Sequence, residues 1–166
     1  MKNAAHIPHK IFALPQLLHV LTGWRLTGKK VAFTNGCFDI LHEGHIFSLS
    51  QAANEADILI VGLNSDDSTK RLKGPTRPLN NQHSRALILA SLLIVDAVVI
   101  FEEDTPLNLI TTIKPDVIVK GGDYTVEQIA GAKEVMEYGG RVVINPILDG
   151  YSTTGLIEKI KASKQL

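Results

Sequence analysis

Cysteine is nearly absent. Cys37 is the one cysteine in 166 residues, so no disulfide can form within the chain, and a reducing compartment is the expected setting. An excess of charge of one sign is also missing. Lys and Arg number 17, and so do Asp and Glu; no overall field draws the chain to nucleic acid or anionic lipid. Any anion it binds must be captured by a local site. No apolar run approaches the ~20 residues of a membrane span, and the longest, such as 86–93, is interrupted by Ser91. Residues 1–9 are polar and lack the apolar core of a signal peptide. Internal repeats and low-complexity tracts are absent too. The expectation is a soluble, cytoplasmic chain with one folded domain and neither a nucleic-acid nor a membrane partner.

What is present is an alternation. Short β-rich apolar runs at 31–34, 58–63, 97–101, 117–120 and 141–145 are continuously apolar, as strands covered on both faces are. Amphipathic stretches at 44–55, 80–93, 105–113, 126–138 and 152–163 separate or follow them. Strand, helix, strand repeated in this way predicts a doubly wound α/β fold of Rossmann-like type. In it, a parallel sheet lies between two helical layers, an α/β/α sandwich. Residues 14–26 predict one more helix, making 1–27 an N-terminal helical extension to a main domain over 28–166. Trp24 is expected to pack that helix on the body. Thr105-Pro106 and Ser152-Thr153 mark helix starts, and Gly139-Gly140 a helix end. The least regular stretch is a loop around Gly74 to Pro78.

In such a sheet, ligands sit at the carboxyl ends of the strands, near the switch in strand order. The first such end reads TNGCFDILHEGH at 34–45. Gly36 lets backbone approach a ligand, and Gly44 lies where a helix should begin. His42 and His45, three apart, can turn both imidazoles toward one spot. That spot receives the helix dipole and its unpaired N–H donors, which favour phosphate. Two such donors can stabilise the charge that develops when phosphorus is attacked. A surface turn with two incidental histidines is the bland alternative. Zinc is disfavoured, because the second His falls one residue short of the His-Glu-x-x-His spacing, and no protein metal site is expected.

The stretch 34–45 resembles the HxGH signature of the cytidylyltransferase-like nucleotidyltransferase superfamily. Three further segments match in order and spacing: RLKGPTRP at 71–78, VKGGDY at 119–124 and GYSTTGL at 150–156. Together they resemble the adenylyltransferases of ADP-heptose synthesis, which often form one half of a bifunctional kinase–adenylyltransferase. The resemblance runs from about residue 28 to the end, without a kinase part, as in a stand-alone form. It implies AMP transfer from ATP to D-glycero-β-D-manno-heptose 1-phosphate for the lipopolysaccharide core, with Mg²⁺ carried on ATP. The partners it implies are ATP and a sugar 1-phosphate, with a homodimer left open. Cytidylyl transfer to glycerol 3-phosphate or a related alcohol phosphate is the alternative on the same motifs. A nucleotide sensor without turnover is the alternative from another class.

The resemblance also assigns roles. His42, His45 and Lys73 become the catalytic residues, Lys73 neutralising the reacting phosphates. Thr34, Asn35, Gly36, Phe38, Gly44, Gly121 and Asp123 fall to nucleotide binding, with Asp123 accepting from a hydroxyl. Ser152, Thr153 and Thr154 would hold the β- and γ-phosphates, with plain capping of the helix by one of them as the alternative. Asn64, Arg77 and Arg85 are assigned to the acceptor, with an exposed helix arginine as the alternative for Arg85. Asn35, Asp66 and Asp67 also stand at strand ends, where they could meet a polyhydroxylated sugar. Relatives often carry an Arg five residues ahead of the Ser-Thr pair; Ile147 occupies that place here. Cys37 reads as a small filler, and Asp39 either meets ligand or caps its turn. His6, His9, His19 and His83 read as surface or structural.

Overall fold

Every residue of Ile58–Asn64 is buried, which is what a strand in the middle of a two-sided sandwich requires. In the computed structural model, which describes residues 4–163, six strands form one sheet: β1 Ile11–Phe12, β2 Val31–Gly36, β3 Ile58–Asn64, β4 Ala97–Phe101, β5 Val117–Gly121 and β6 Arg141–Asn145. All pairings are parallel, in the order β1-β4-β3-β2-β5-β6. The helices are α1 Leu14–Leu26, α2 Glu43–Ala53, α3 Asp66–Lys73, α4 Gln82–Ser91, α5 Leu107–Ile113, α6 Ala132–Glu137 and α7 Thr153–Ser163. The expected doubly wound α/β sandwich is the fold observed.

Alternate strand residues feed two cores. Val31, Phe33, Ile58, Ile60, Ala97 and Val99 pack against Leu17 and Leu21 of α1, the inner faces of α5 and α6, and a partly buried Trp24. Their neighbours Ala32, Leu59, Val61, Leu63 and Val98 pack on the other side, against Leu49 and Ala52 of α2 and Ala86, Leu89 and Ala90 of α4. This alternation between two apolar layers is why the runs read as continuously apolar. Leu17 and Leu21 are 0% and 1% exposed, so each contributes about 1.5–3 kcal/mol by leaving water.

Three aspartates close the amino ends of the strands. Asp57, Asp96 and Asp116 accept the N–H of Lys30, Leu59 and Val31 at 2.8, 2.8 and 2.9 Å. Each precedes a strand by one residue and ties it to a neighbouring strand or its lead-in. The carboxyl ends are thereby left to the loops that build the site.

Two elements differ from the sequence reading. The N-terminal segment holds more than a helix, because Ile11 and Phe12 pair with Val98 and Val99 as the edge strand β1 of the same sheet. A two-residue strand is too short to leave a periodic signal. Helix α3 reads in the sequence as strand end and loop, since DDSTKRLK is polar and carries one apolar residue, Leu72. Its start is set by Ser65, whose hydroxyl accepts from Ser68 N–H at 3.1 Å. Its inner face is polar, with Ser68 and Thr69 fully buried. Ser68 Oγ accepts from Asn64 Nδ2 and donates to Glu103 O. Lys73 therefore ends a helix rather than riding on a loop.

Candidate active site

Chain order reverses between β2 and β5: β3 and β4 continue on one side of β2, β5 and β6 on the other. The loops leaving β2 and β5 diverge there and leave a crevice, as switch points do. A cavity of about 660 Å³ occupies it, large enough for a nucleotide and a small acceptor. Thr34, Asn35, Gly36, Phe38, His42, His45, Asn64, Lys73, Arg77, Gly121, Ser152, Thr153 and Thr154 all line it. The four motifs, far apart in the chain, meet around one space.

The two histidines stand at the start of α2, His42 as N-cap and His45 as third residue. Their ring centroids are 3.9 Å apart with planes inclined by 31°. The His42 backbone N–H donates to His45 Nδ1 at 3.4 Å, a bond that assigns His45 the tautomer with its proton on Nε2. Burial, and then the neighbouring His42, lower the His45 pKa to about 4; burial also lowers that of His42. At neutral pH the pair is uncharged, and His45 offers an N–H donor that needs no protonation. Nδ1 of His42 is buried without a hydrogen-bond partner among the described residues. Phe38, with its backbone at φ 45°, sets its ring 5.5 Å from that of His45. Tyr151 stacks against His42 with ring centroids 6.3 Å apart.

Gly44 does not line the cavity; it makes room behind it. A Cβ there would stand 3.0 Å from the Tyr151 Cβ and 3.2 Å from the His42 ring. Gly121 does line it, and a Cβ there would come within 2.9 Å of Ser48 Oγ.

Of the residues set against the ligands, Arg85, Asp66, Asp67 and Asp123 lie off the cavity wall. Arg85 is neither an exposed helix arginine nor a cavity residue. It is 1% exposed, and its guanidinium donates to the carbonyls of Asn80, Cys37 and Asn64 and to Asp66 Oδ1. It pins the loop after β2 to the end of β3. Asp66 is spent on that pair, and Asp67 faces solvent with Lys70. Both sit on α3 and not on the cavity wall. Asp123 is exposed and outside the lining.

Asp39 is 3% exposed and caps its turn by accepting from Leu79 N, Asn80 N and Arg77 Nε at 2.8, 2.9 and 2.6 Å. Burial works to raise its pKa, but these bonds outweigh it and hold the carboxyl below its ordinary value. Asp104, the other acid on the wall, is paired with Arg71. Among the described residues no three His, Cys, Asp or Glu side chains converge on one point, and both cavity carboxylates are committed to arginines. These residues thus offer no metal cage of their own. Ser152 Oγ accepts from Gly155 N–H at 3.0 Å, capping α7, whose first residues Thr153 and Thr154 line the cavity.

Sequence reasoning gave no role to Lys120, although it lies within the 119–124 motif, or to Ser48; both are on the wall. Lys120 had a signal: it is a lysine near the end of a strand whose preceding members, Val117 to Val119, are buried. Ser48, on a helix of mixed polarity, had none.

Comparison with known proteins places these motifs in context. A family model described as cytidylyltransferase-like matches residues 33–159, from β2 into α7. The "Bifunctional protein HldE" of Caulobacter sp. (strain K31) is 55% identical over 153 residues, 92% of this chain and 31% of that protein. The one from Acidiphilium cryptum (strain JF-5) is 53% identical over 162 residues, 98% of this chain and 33% of its own. The chain therefore spans about a third of the length of these relatives. Among solved structures, a lipopolysaccharide core biosynthesis protein from Thermoplasma volcanium GSS1 aligns with a TM-score of 0.59 and 30% identity, over 75% of this chain and all of that one. Pantoate-beta-alanine ligase from Francisella tularensis reaches the same TM-score at 16% identity over 91% of this chain and 76% of its own, a likeness of fold alone. With the matched span containing the histidine pair, the β5 loop and the start of α7, the chain belongs to the cytidylyltransferase-like family.

Proposed function

We propose that the chain is a nucleotidyltransferase that moves AMP from ATP to D-glycero-β-D-manno-heptose 1-phosphate, releasing pyrophosphate and forming ADP-heptose. The observation that carries the reaction type is the neutral histidine pair at the helix N-terminus, facing a cavity that also holds Lys73 and the start of α7. The substrate reading is supported by the 71–78 and 119–124 motifs and by the relationship to a lipopolysaccharide core biosynthesis protein. A cytoplasmic setting follows from those substrates.

A phosphate oxygen is already a competent nucleophile, so no side chain needs to take a proton from it. The sugar phosphate oxygen attacks the α-phosphorus in line. One O–P bond forms as the bond to the bridging α,β-oxygen breaks, and its electrons leave with pyrophosphate. Charge gathers on the leaving oxygens. His45 Nε2–H, fixed by the His42 backbone, donates toward that charge with no proton to acquire first. The free N–H groups of α7 and the hydroxyls of Ser152, Thr153 and Thr154 hold the β- and γ-phosphates. Lys73 supplies a point charge over them. Magnesium enters as part of the Mg–ATP substrate, held by phosphate oxygens and water.

Pyrophosphate release across a matrix of ATP and CTP against heptose 1-phosphate and glycerol 3-phosphate tests the proposal. The expected result is the highest kcat/KM for ATP with the heptose. A preference for CTP with glycerol 3-phosphate would retain nucleotidyl transfer and reject the heptose. No turnover with any pair would leave a nucleotide sensor.

A further inference from the structure

The charged groups on the cavity wall cancel unevenly. Asp39 pairs with Arg77, and Asp104 with Arg71. That leaves Lys73 and Lys120 as the lining cations without a carboxylate partner among the described residues. Lys73 has its assignment above. Lys120 has none, and its surroundings are unlike those of a surface lysine.

It follows the buried Val117, Ile118 and Val119 directly, near the end of β5. Its Nζ donates to Asn35 Oδ1 at 3.1 Å and, at the edge of range, to Asn35 O at 3.4 Å. An ammonium has three N–H donors, so one remains without an acceptor among the described residues, at the cavity wall. The Tyr124 ring lies 5.8 Å from the nitrogen, at the edge of cation–π range, and its face favours the charge without accepting the remaining N–H as an oxygen would. Burial, with Lys73 adding repulsion and Cys37 opposing, pulls the Lys120 pKa below its ordinary value. A half-buried cation beside a second cation is costly unless an anion completes it.

We infer that Lys120 is a substrate-phosphate ligand, held in place by Asn35 at the β2–β5 switch point and completed by a phosphate oxygen of the bound substrate. The inference rests on the nucleotidyl-transfer reading, because that reaction brings two phosphate-bearing molecules to this wall. Lys73, at the end of α3, and Lys120, near the end of β5, then approach the phosphates from opposite sides of the β2 loop.

The test is calorimetric titration of wild type, Lys120→Gln and Lys120→Arg with Mg²⁺ and α,β-methylene-ATP, whose α,β-bond cannot transfer. Heptose 1-phosphate is then titrated into the analogue-saturated proteins. Glutamine keeps a donor for Asn35 and removes the charge; arginine keeps the charge. Lys120→Gln is expected to weaken one of the two titrations roughly 10-fold to 100-fold, with Lys120→Arg recovering part of the loss. Loss with the nucleotide analogue assigns the contact to the triphosphate, and loss confined to the second titration assigns it to the acceptor. Unchanged affinity in both would overturn the inference. If the glutamine variant does not fold, acylation of Lys120 in the unaltered protein decides. The analogue or the sugar phosphate should slow it, and equal rates with and without them would overturn the assignment. Wild-type turnover of ATP with heptose 1-phosphate separates the two claims. If it fails while Lys120→Gln still loses analogue affinity, the acceptor reading falls and the lysine assignment stands.

Discussion

The backbone N–H of His42 donates to Nδ1 of His45, so the helix start that carries both residues also fixes which nitrogen of the second one bears the proton. Each ring faces the cavity because the two positions are three apart on one helical turn. Since the donor acts on charge that appears only during reaction, His45→Ala should lower kcat roughly a hundredfold or more and leave nucleotide affinity nearly unchanged. His42→Ala should do the same. Steady-state kinetics alongside analogue binding checks this, and a near-normal kcat in both variants would remove the histidines from the mechanism.

The uncharged state of the pair has a consequence for stability. The His45 pKa is about 4 in the folded chain against an ordinary 6.5. Between those values the unfolded chain binds a proton that the folded chain does not. Stability linked to His45 is therefore complete above pH 6.5, falls as the pH drops toward about 4, and is flat below that. His42 shifts in the same direction. Asp39 and Asp116, held below their ordinary carboxylate range, lose their contribution only at lower pH. Urea midpoints measured from pH 7.5 to 4.5 should decline in wild type and decline less in His45→Gln. Parallel declines would show that the imidazole is not the group responsible.

Arg85 gives the strongest stability prediction away from the chemistry. Its fully buried side chain meets Asp66 Oδ1 at 2.7 Å and three backbone carbonyls. Arg85→Ala leaves those acceptors without a donor and opens a cavity, which should cost about 3–5 kcal/mol in urea unfolding. Arg85→Lys cannot reproduce the planar fork and should recover only part. A loss below about 1 kcal/mol would mean that water replaces the guanidinium.

How far the sequence discloses this molecule depends on where its signals are local. The apolar strands announce themselves because both sheet faces are covered, and the histidine pair because three-residue spacing has one geometric meaning on a helix. Helix α3 does not, because its buried face is Ser68 and Thr69, with Ser68 satisfied by Asn64 and the Glu103 carbonyl, partners no periodicity reveals. Arg85 carries an ordinary arginine's local signature, and its four acceptors come from 5 to 48 residues away. Lys120 needs the pairing of β2 with β5 to bring Asn35 beneath it.

Lys73 closes α3, with Gly74 following at φ 99°. Its side chain is exposed, so removing it should leave folding intact. Lys73→Ala should keep the wild-type unfolding midpoint and lose most turnover. Lys73→Arg should recover little, because a planar fork does not replace a compact charge. Full activity in the alanine variant would return Lys73 to an ordinary surface position.

The segment after Lys73 is where motion on binding is expected, and the structure narrows it. Arg77 is held by Asp39, and so are the N–H groups of Leu79 and Asn80, so the far end of the loop is anchored to the floor of the site. Pro75 and Thr76 have no tie to Asp39, and both are exposed. The Arg77 backbone N–H donates to the Gly74 carbonyl at 3.1 Å, so Pro75 and Thr76 form the tip of a closed turn, and that tip is the part that can close over phosphates without disturbing β2. Hydrogen exchange with and without Mg²⁺ and an ATP analogue should show protection rising at Thr76 and staying constant at Leu79 and Asn80, whose donors are already engaged. Uniform protection across 74–80 in both states would rule out a closing segment. A rise at Leu79 and Asn80 would mean that the Asp39 anchor forms only with nucleotide bound.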